Sequence, residues 1–373
     1  MSAALARGRP AASPETLILS RRDVVRLMDQ RAWLEAAELG FRAGAEGRAF
    51  SPMPMAIEAE GGAFHAKGAR LTLGRTYVAV KLNANFPANP EVRGLPTIQG
   101  ALLLCDGETG ALLAIIDSIE VTLRRTAAAS ALAARLLARP DAATLFLAGC
   151  GEQGRAHLEA LAQVLPLTRC LAWDGQAGKA GAFAAAHRRA GLAVEAVGTL
   201  GRAAECDAIA TCTTARTAFL DETMVRPGTF VAAVGADSPH KSEIAPALLR
   251  RALVVADSVR QAATMGDLRV AIASGAMTEA DVHAELGELV TGRQVGRSSD
   301  EEIILFDSTG TALQDVAASA CIYERAVRLP GLASVALGAA CARTITISAS
   351  ARRPGSGRGS RRSASAVRPG RSR

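Results

Sequence analysis

Aromatic residues make up only 3% of this 373-residue chain. Nine Phe, two Tyr and two Trp are too few for the stacking platforms that hold single-stranded nucleic acids. The seven cysteines form no CxxC pair and are odd in number, which excludes a disulfide scaffold and the common zinc spacings. Five scattered histidines, with no H-x-x-x-H among them, give no metal spacing either. Long apolar runs are missing too: the longest weakly polar stretch, Gly331 to Ala342, is too short and too rich in Ala and Gly to span a bilayer. The N-terminal MSAALARGRPAASPETLIL lacks the continuous apolar segment of a signal peptide. With its unpaired cysteines, the chain reads as cytoplasmic. Acidic residues vanish after residue 350, where eight arginines fall. The formal charge of +7 therefore belongs to the tail, and the near-neutral body carries no electrostatic footprint for nucleic acid.

What is present is apolar: 49% of the residues, ample for one large domain or two ordinary ones. From residue 348 the composition turns to Ser, Gly, Arg and Pro, which cannot cover a core, so 348–373 is expected to be a solvated tail, with at most weak nucleic-acid contact. Near the start, Ser20-Arg21-Arg22-Asp23 has capping-box spacing, and a helix from about Asp29 carries Trp33, Ala37 and Phe41 at four-residue intervals. Strand-like segments follow at 63–66, 70–73, 76–82, 98–105 and 111–116, with Asp106-Gly107-Glu108-Thr109-Gly110 as a hairpin turn. Antiparallel pairing is expected here. An Ala/Leu-rich helix from about Val121 to Ala138 ends before Pro140. Beyond it, short apolar runs (Thr144–Ala148, Thr168–Trp173, Ala193–Val197, Ala208–Cys212, Thr229–Val234, Leu253–Ala256) alternate with Ala-rich helical segments, the pattern of a parallel sheet covered by helices. The expected fold is thus α/β, in two parts. Residues 1–127 make an α+β domain to which 325–347 is expected to return, and 128–324 make a Rossmann-type domain.

The sharpest motif is Gly149-Cys150-Gly151-Glu152-Gln153-Gly154, which follows the strand Thr144–Ala148. Gly149 permits the tight turn, Gly151 lets backbone approach a pyrophosphate, and Gly154 allows helix and strand to pack closely. The helix then offers free amides and its positive end to the phosphates, with Glu152 and Gln153 in its first turn. Asp174 ends the next strand, 20 residues after Gly154. Its carboxylate can accept both ribose hydroxyls of NAD and would repel the extra phosphate of NADP, so NAD is the expected cofactor. Thr211, Thr213 and Thr214 follow a later strand, where loops line the cofactor cleft.

A nicotinamide needs a partner that exchanges hydride, and the earlier region holds groups suited to an anion. Lys81 is a lone charge ending the strand YVAVK, and Arg125 opens an otherwise apolar helix. A guanidinium fork grips a carboxylate bidentately while an ammonium adds a point charge. Asp237, in a loop after an apolar strand, could orient or deprotonate an amine. His65 and His240 could serve as acid–base groups.

Together these blocks resemble the ornithine cyclodeaminase/mu-crystallin family. The resemblance is carried by Lys81, Gly94-Leu95-Pro96-Thr97, Asp106, Gly110, Asp117 and Thr122-Leu123-Arg124-Arg125. It continues in the glycine turn, Gly235-Ala236-Asp237-Ser238-Pro239-His240-Lys241-Ser242-Glu243, Ala284–Glu288 and Phe306–Asp315, over roughly residues 50–325. It implies a homodimer with an NAD(P)-binding Rossmann domain, a substrate-binding and dimerisation domain made of residues 1–127 and completed by 325–347, and a small amino- or imino-acid substrate. It implies that Lys81 and Arg125 bind the carboxylate, that Asp237 acts on the substrate amine, and that the stretch from Ser308 and Thr309 to Asp315 closes over the nicotinamide. The activity it implies is conversion of ornithine or a related diamino acid to a cyclic imino acid plus ammonia, by internal hydride transfer through NAD. Alternatives are an alanine-type amino-acid dehydrogenase, a cyclic ketimine or pyrroline-2-carboxylate reductase, and, more remotely, a non-catalytic ligand-binding protein. One departure stands out: family cyclodeaminases carry an additional arginine roughly where this chain reads Met53-Pro54-Met55. Lys67, beside the Gly61-Gly62 turn, is expected to replace that charge.

Overall fold

Each of the first two helices is started by a side chain. In the computed structural model, which describes residues 15–337, β1 (Thr16–Leu19) leads into α1 (Arg21–Leu27) through a complete capping box between Ser20 and Asp23. Asp29 then caps α2 (Gln30–Ala45) by accepting from Ala32 N at 2.8 Å. The tail 348–373 and the last part of the 325–347 return lie outside the described residues.

Six further strands build on β1: β2 (Ala49–Phe50), β3 (Met55–Ala59), β4 (Gly62–Leu73), β5 (Arg75–Asn85), β6 (Ile98–Asp106) and β7 (Leu112–Asp117). From β4 to β7 the sheet is an antiparallel meander, and the Asp106–Gly110 turn joins β6 to β7 as expected. β1 departs from the antiparallel expectation and runs parallel to β7, which two intervening helices and a whole sheet make possible because no hairpin dictates its direction. A short helix, α3 (Asn89–Arg93), links β5 to β6. In β5 the alternation is inverted relative to an ordinary surface sheet. Tyr77, Ala79, Lys81 and Asn83 point inward and are buried, while Val80 and Leu82 face out, 44% and 47% exposed.

Then α4 (Ser118–Leu137), capped by Asp117, crosses to the second sheet. It is buried along most of its length, and its run of alanines, Ala127 to Ala134, lets α2 and a second-sheet helix, α5 (Glu152–Leu161), approach closely. The second sheet holds β8 (Thr144–Ala148), β9 (Arg169–Trp173), β10 (Ala193–Ala196), β11 (Ala208–Thr211), β12 (Phe230–Ala233), β13 (Leu253–Ala256), β14 (Ala284–Glu285) and β15 (Ile304–Asp307). All its pairings are parallel, in the order β10-β9-β8-β11-β12-β15-β13-β14. The order reverses at β8, so the crevice between the β8 and β11 loops is the topological switch point of a Rossmann-type fold. Helices α6 (Lys179–His187), α7 (Pro246–Arg251), α8 (Val259–Met265), α9 (Asp267–Ala273) and α10 (Leu286–Val290) lie between these strands in sequence. The next helix, α11 (Ala312–Ala326), already packs on α2, β4 and β5, so the chain returns to the first sheet earlier than residue 325. β16 (Ser334–Val335) then pairs with β1. One continuous apolar core, including Leu71, Leu104, Leu132, Leu145, Phe306 and Val316, joins the two layers.

Candidate active site

The glycine turn sits at that switch point. Gly149 takes φ +100°, and a Cβ there would stand 2.6 Å from Cys212 O. A Cβ on Gly154 would meet Gly149 O at 2.0 Å, so both positions are dictated by the fold itself. Gly151 differs: nothing lies within 4 Å of a Cβ built on it. Its smoothness is useful only to something outside the chain, and it is the N-cap of α5 with no side chain taking up the helix's first amides. Of the first-turn residues, Glu152 is exposed and paired with Arg155, while Gln153 keeps a buried, unpartnered Oε1. Asp174, half-buried at the end of β9, accepts from Cys150 N and Gln176 N, both at 2.8 Å, one on each oxygen. A carboxylate has about four acceptor sites, which leaves room for two hydroxyls. These residues fit a dinucleotide.

Across the cleft the first sheet delivers the cations. β4 and β5 pair so that Lys67 and Lys81 are direct partners, on the same face. Lys81 does not end its strand as expected but lies in its middle, and Arg125 lies two turns inside α4 because the helix begins at Ser118. Both are buried, and both converge on one carboxylate. Lys81 Nζ lies 2.8 Å from Asp315 Oδ2, and Arg125 Nε donates to Asp315 Oδ1 at 3.1 Å. Arg125 Nη1 also donates to Gln314 Oε1 at 3.0 Å, and Lys81 Nζ to Thr122 Oγ1 at 3.2 Å. Lys67 Nζ donates to Gly310 O at 2.9 Å, tying β4 to the loop after β15.

Electrostatics follow from this crowding. Burial, reinforced by Arg125 and Lys67 and offset by Asp315, pushes Lys81 down to about 8. Burial and the Arg125 charge lower Lys67 as well. Burial works to raise Asp315, but Lys81 and Arg125 outweigh it and hold the carboxyl below its usual range. Lys81 and Arg125 thus share one firmly ionised anion, with Lys67 alongside them. The other nearby carboxylate, Asp257, is raised by burial despite accepting from Thr309 Oγ1 at 2.8 Å and Gly310 N at 2.6 Å. Three buried polar atoms around the cluster, Ser308 Oγ, Thr311 Oγ1 and Gln314 Nε2, have no partner.

Not every sequence candidate converges so tightly. Asp237 is exposed, ion-paired with Lys241 at 2.7 Å, though its charge still reaches Lys67. Thr213 gives both its N–H and its hydroxyl to Glu243, at 2.7 and 2.6 Å. Thr309 is held between Asp257 and Gln261, and Ser308 is buried beside it. Met55 is exposed on β3. Sequence reasoning did not single out Asp315, although it closes the Phe306–Asp315 block, or the buried acids Glu243, Asp257, Asp267 and Asp307. Asp257 and Asp307 follow or end apolar strands, a signal that could have marked them, whereas Glu243, Asp267 and Asp315 lie in loops or helices with no such mark. Among the described residues no group of His, Cys, Asp and Glu is placed to hold a metal ion, and no helix is long and apolar enough to cross a membrane.

Known proteins share this fold. An alanine dehydrogenase of Archaeoglobus fulgidus is 37% identical over 313 residues, covering 84% of this chain and 96% of that protein. The structure of an archaeal alanine dehydrogenase dimer with bound NAD superposes with a TM-score of 0.81 at 35% identity, over 86% of this chain and 99% of that one. That of a Thermococcus litoralis Δ1-pyrroline-2-carboxylate reductase, in complex with NADH and L-proline, gives 0.80 at 30% identity, over 84% and 98%. The profile of the ornithine cyclodeaminase/mu-crystallin family matches residues 14–329, and the chain belongs to that family.

Proposed function

We propose that this protein is an NAD-dependent oxidoreductase of small α-amino acids and their imino acids, working as an alanine-type amino-acid dehydrogenase. The observation that carries the reading is the gathering of three cations, the buried Lys81 and Arg125 and the half-buried Lys67, where, among the described residues, only Asp315 pairs directly with Lys81 and Arg125. A cluster of that sign, facing a dinucleotide cleft, suits a substrate carboxylate. Bound NAD supplies the hydride acceptor, and NADH the donor, for the carbon beside that carboxylate. Arg125 and Lys81 hold the carboxylate and so fix the position of Cα, where a displacement of about 1 Å costs on the order of 100-fold in rate. Lys67 adds the third charge from the neighbouring strand. Asp174 selects NAD over NADP. In the oxidative direction an amino acid and water become a 2-oxo acid anion and ammonium, with one hydride leaving on the nicotinamide and one proton released to solvent.

Cyclodeamination, the activity that the family name suggests first, asks for a carboxylate free to handle a terminal amine. Asp237 instead holds the Lys241 ammonium, and Met53 and Met55 stand where cyclodeaminases carry a further cation. A second reading, reduction of a cyclic imino acid, needs the same anchors and is supported by the likeness to the reductase bound to NADH and L-proline. The protein works as a homodimer through the outer face of the first sheet. Val80, Leu82 and Leu103 stand exposed there beside Phe64 and Phe86, an apolar face that a second copy would cover. The likeness to a dimeric alanine dehydrogenase supports this.

The test is a single assay set, with NAD and alanine, ornithine or lysine, and separately NADH with pyruvate and ammonium or with pyrroline-2-carboxylate. Equimolar NADH and ammonia from alanine supports the dehydrogenase. Cyclic product without NADH accumulation would restore cyclodeamination, and NADH consumption with the cyclic imine alone would select the reductase.

A further inference from the structure

Glu243 touches none of the cations, yet it is fully buried where the ends of β11 and β12 meet. Its Oε2 accepts from Thr211 Oγ1 at 2.6 Å and Gly235 N at 2.7 Å, and its Oε1 accepts from Thr213 N at 2.7 Å and Thr213 Oγ1 at 2.6 Å. Four donors on one carboxylate, two of them backbone amides that can never accept, define a site built for a carboxylate. The packing around it leaves no slack. A Cβ on Gly235 would lie 2.4 Å from both Glu243 Oε1 and Thr213 O. On its other side the Cys212–Thr213 segment is the wall of the glycine turn, since a Cβ on Gly149 would lie 2.6 Å from Cys212 O and 3.3 Å from Thr213 Cγ2.

We propose that Glu243 is a positioning residue for cofactor binding. Its carboxylate staples the loop after β11 to the loop after β12, which leads to Asp237, and through Thr213 it fixes the wall against which Gly149 turns. The inference rests on the reading of the glycine turn as the NAD site.

The staple works only while the carboxyl is ionised. Burial, with the Asp267 charge adding to it, raises Glu243 to about 7. The groups facing it are the neutral Thr211, Thr213 and Gly235 donors, the Cys212 thiol, and Asp267, whose Oδ1 accepts from Glu243 N at 2.8 Å. The Asp267 charge also acts on Asp307, Arg269 acts on Asp267 from α9, and Lys241, two residues away, is held by Asp237. A proton on Glu243 places an O–H among donors, so the two loops part and NADH affinity falls as pH drops below 7.

NADH fluorescence titrations below and above pH 7 on wild type and Glu243→Gln test this, with melting temperature recorded for each. The amide must turn its NH2 toward a backbone N–H. The expected result is a Kd raised about tenfold or more above pH 7 and no longer changing with pH, the value expected from one lost charged hydrogen bond. KM for NAD should rise far more than kcat at saturating cofactor falls. An unchanged Kd, or a pH dependence that survives the substitution, overturns the proposal. If Glu243→Gln does not fold, Thr213→Val, which removes one donor only, is expected to raise Kd about threefold, and an unaltered Kd there overturns it equally. Wild type that fails to bind NADH at any pH refutes the cofactor reading instead.

Discussion

Replacing Asp315 by Asn tests the cation cluster at the carboxylate that pairs with Lys81 and Arg125. The substitution keeps the shape and removes the charge that lies 2.8 Å from Lys81 Nζ and accepts from Arg125 Nε at 3.1 Å. At an effective dielectric of about 20, a pair at that separation attracts by roughly 6 kcal/mol, an upper bound before relaxation. Even a quarter of it, about 1.5 kcal/mol, is worth a full unit of pKa. Lys81, already pushed down to about 8, then titrates at pH 7 or lower. The readout is KM for a 2-oxo acid against pH at saturating NADH and ammonium, because the carboxylate of that substrate does not titrate in this range. In the wild type KM is expected to climb as pH rises through about 8, where the Lys81 ammonium is lost. In Asp315→Asn the climb should begin about one unit lower, so that KM is about twofold higher at pH 7 and approaches tenfold higher above pH 8. Losing one partner of a buried ion pair also costs about 3–5 kcal/mol of stability, so melting curves must show the variant folded at the assay temperature. A folded variant whose KM rises at the same pH as wild type would refute the reasoning, since Lys81 would then not depend on Asp315 or would not hold the substrate.

The glycines should separate by role. Gly154→Ala, whose Cβ would meet Gly149 O at 2.0 Å, is expected to abolish soluble folded protein, whereas Gly151→Ala should melt like wild type yet bind NADH at least about tenfold more weakly; equal NADH affinity would remove the pyrophosphate from that turn. Asp174→Ala should raise the ratio of NADP to NAD usage by about tenfold or more, measured as kcat/KM for each, and an unchanged ratio would take the ribose away from this carboxylate. Leu82→Glu puts a charge on the exposed apolar face of the first sheet and should turn a dimer into a monomer in sedimentation velocity; a wild-type monomer, or a dimer indifferent to the substitution, would place the contact elsewhere.

How much of this was legible depended on whether a feature was local. The glycine turn was, because strand, turn and helix are contiguous and each glycine answers a steric demand within a few residues. The strands Thr144–Ala148 through Leu253–Ala256 were equally readable as short apolar runs between helices. β15, which lies between β12 and β13, was passed over, since its four residues have no helical alternation on both sides to mark them. The parallel partnership of β1 with β7 joins segments almost a hundred residues apart, and no pattern in either strand announces it. The cations show the same divide. Lys81 and Arg125 stood out as charges in apolar segments, but that Lys67 is the register partner of Lys81 follows only from counting residues around the Leu73–Arg75 turn. Asp315 was harder still. In sequence it is an acid in the first turn of a helix, which the helix dipole alone would favour, and only the return of α11 onto the first sheet makes it the counter-charge of two buried cations. The inverted alternation of β5, by contrast, is visible in the sequence: Lys81 and Asn83 occupy one face while Val80 and Leu82 occupy the other. The same few residues that put a lysine among the buried polar groups also leave Val80 and Leu82 exposed on the outer face of the sheet, the face proposed above for association. In the proposed reading substrate site and subunit contact are two faces of one strand, and for that reason a substitution such as Leu82→Glu is expected to reach the activity through the sheet that holds Lys81.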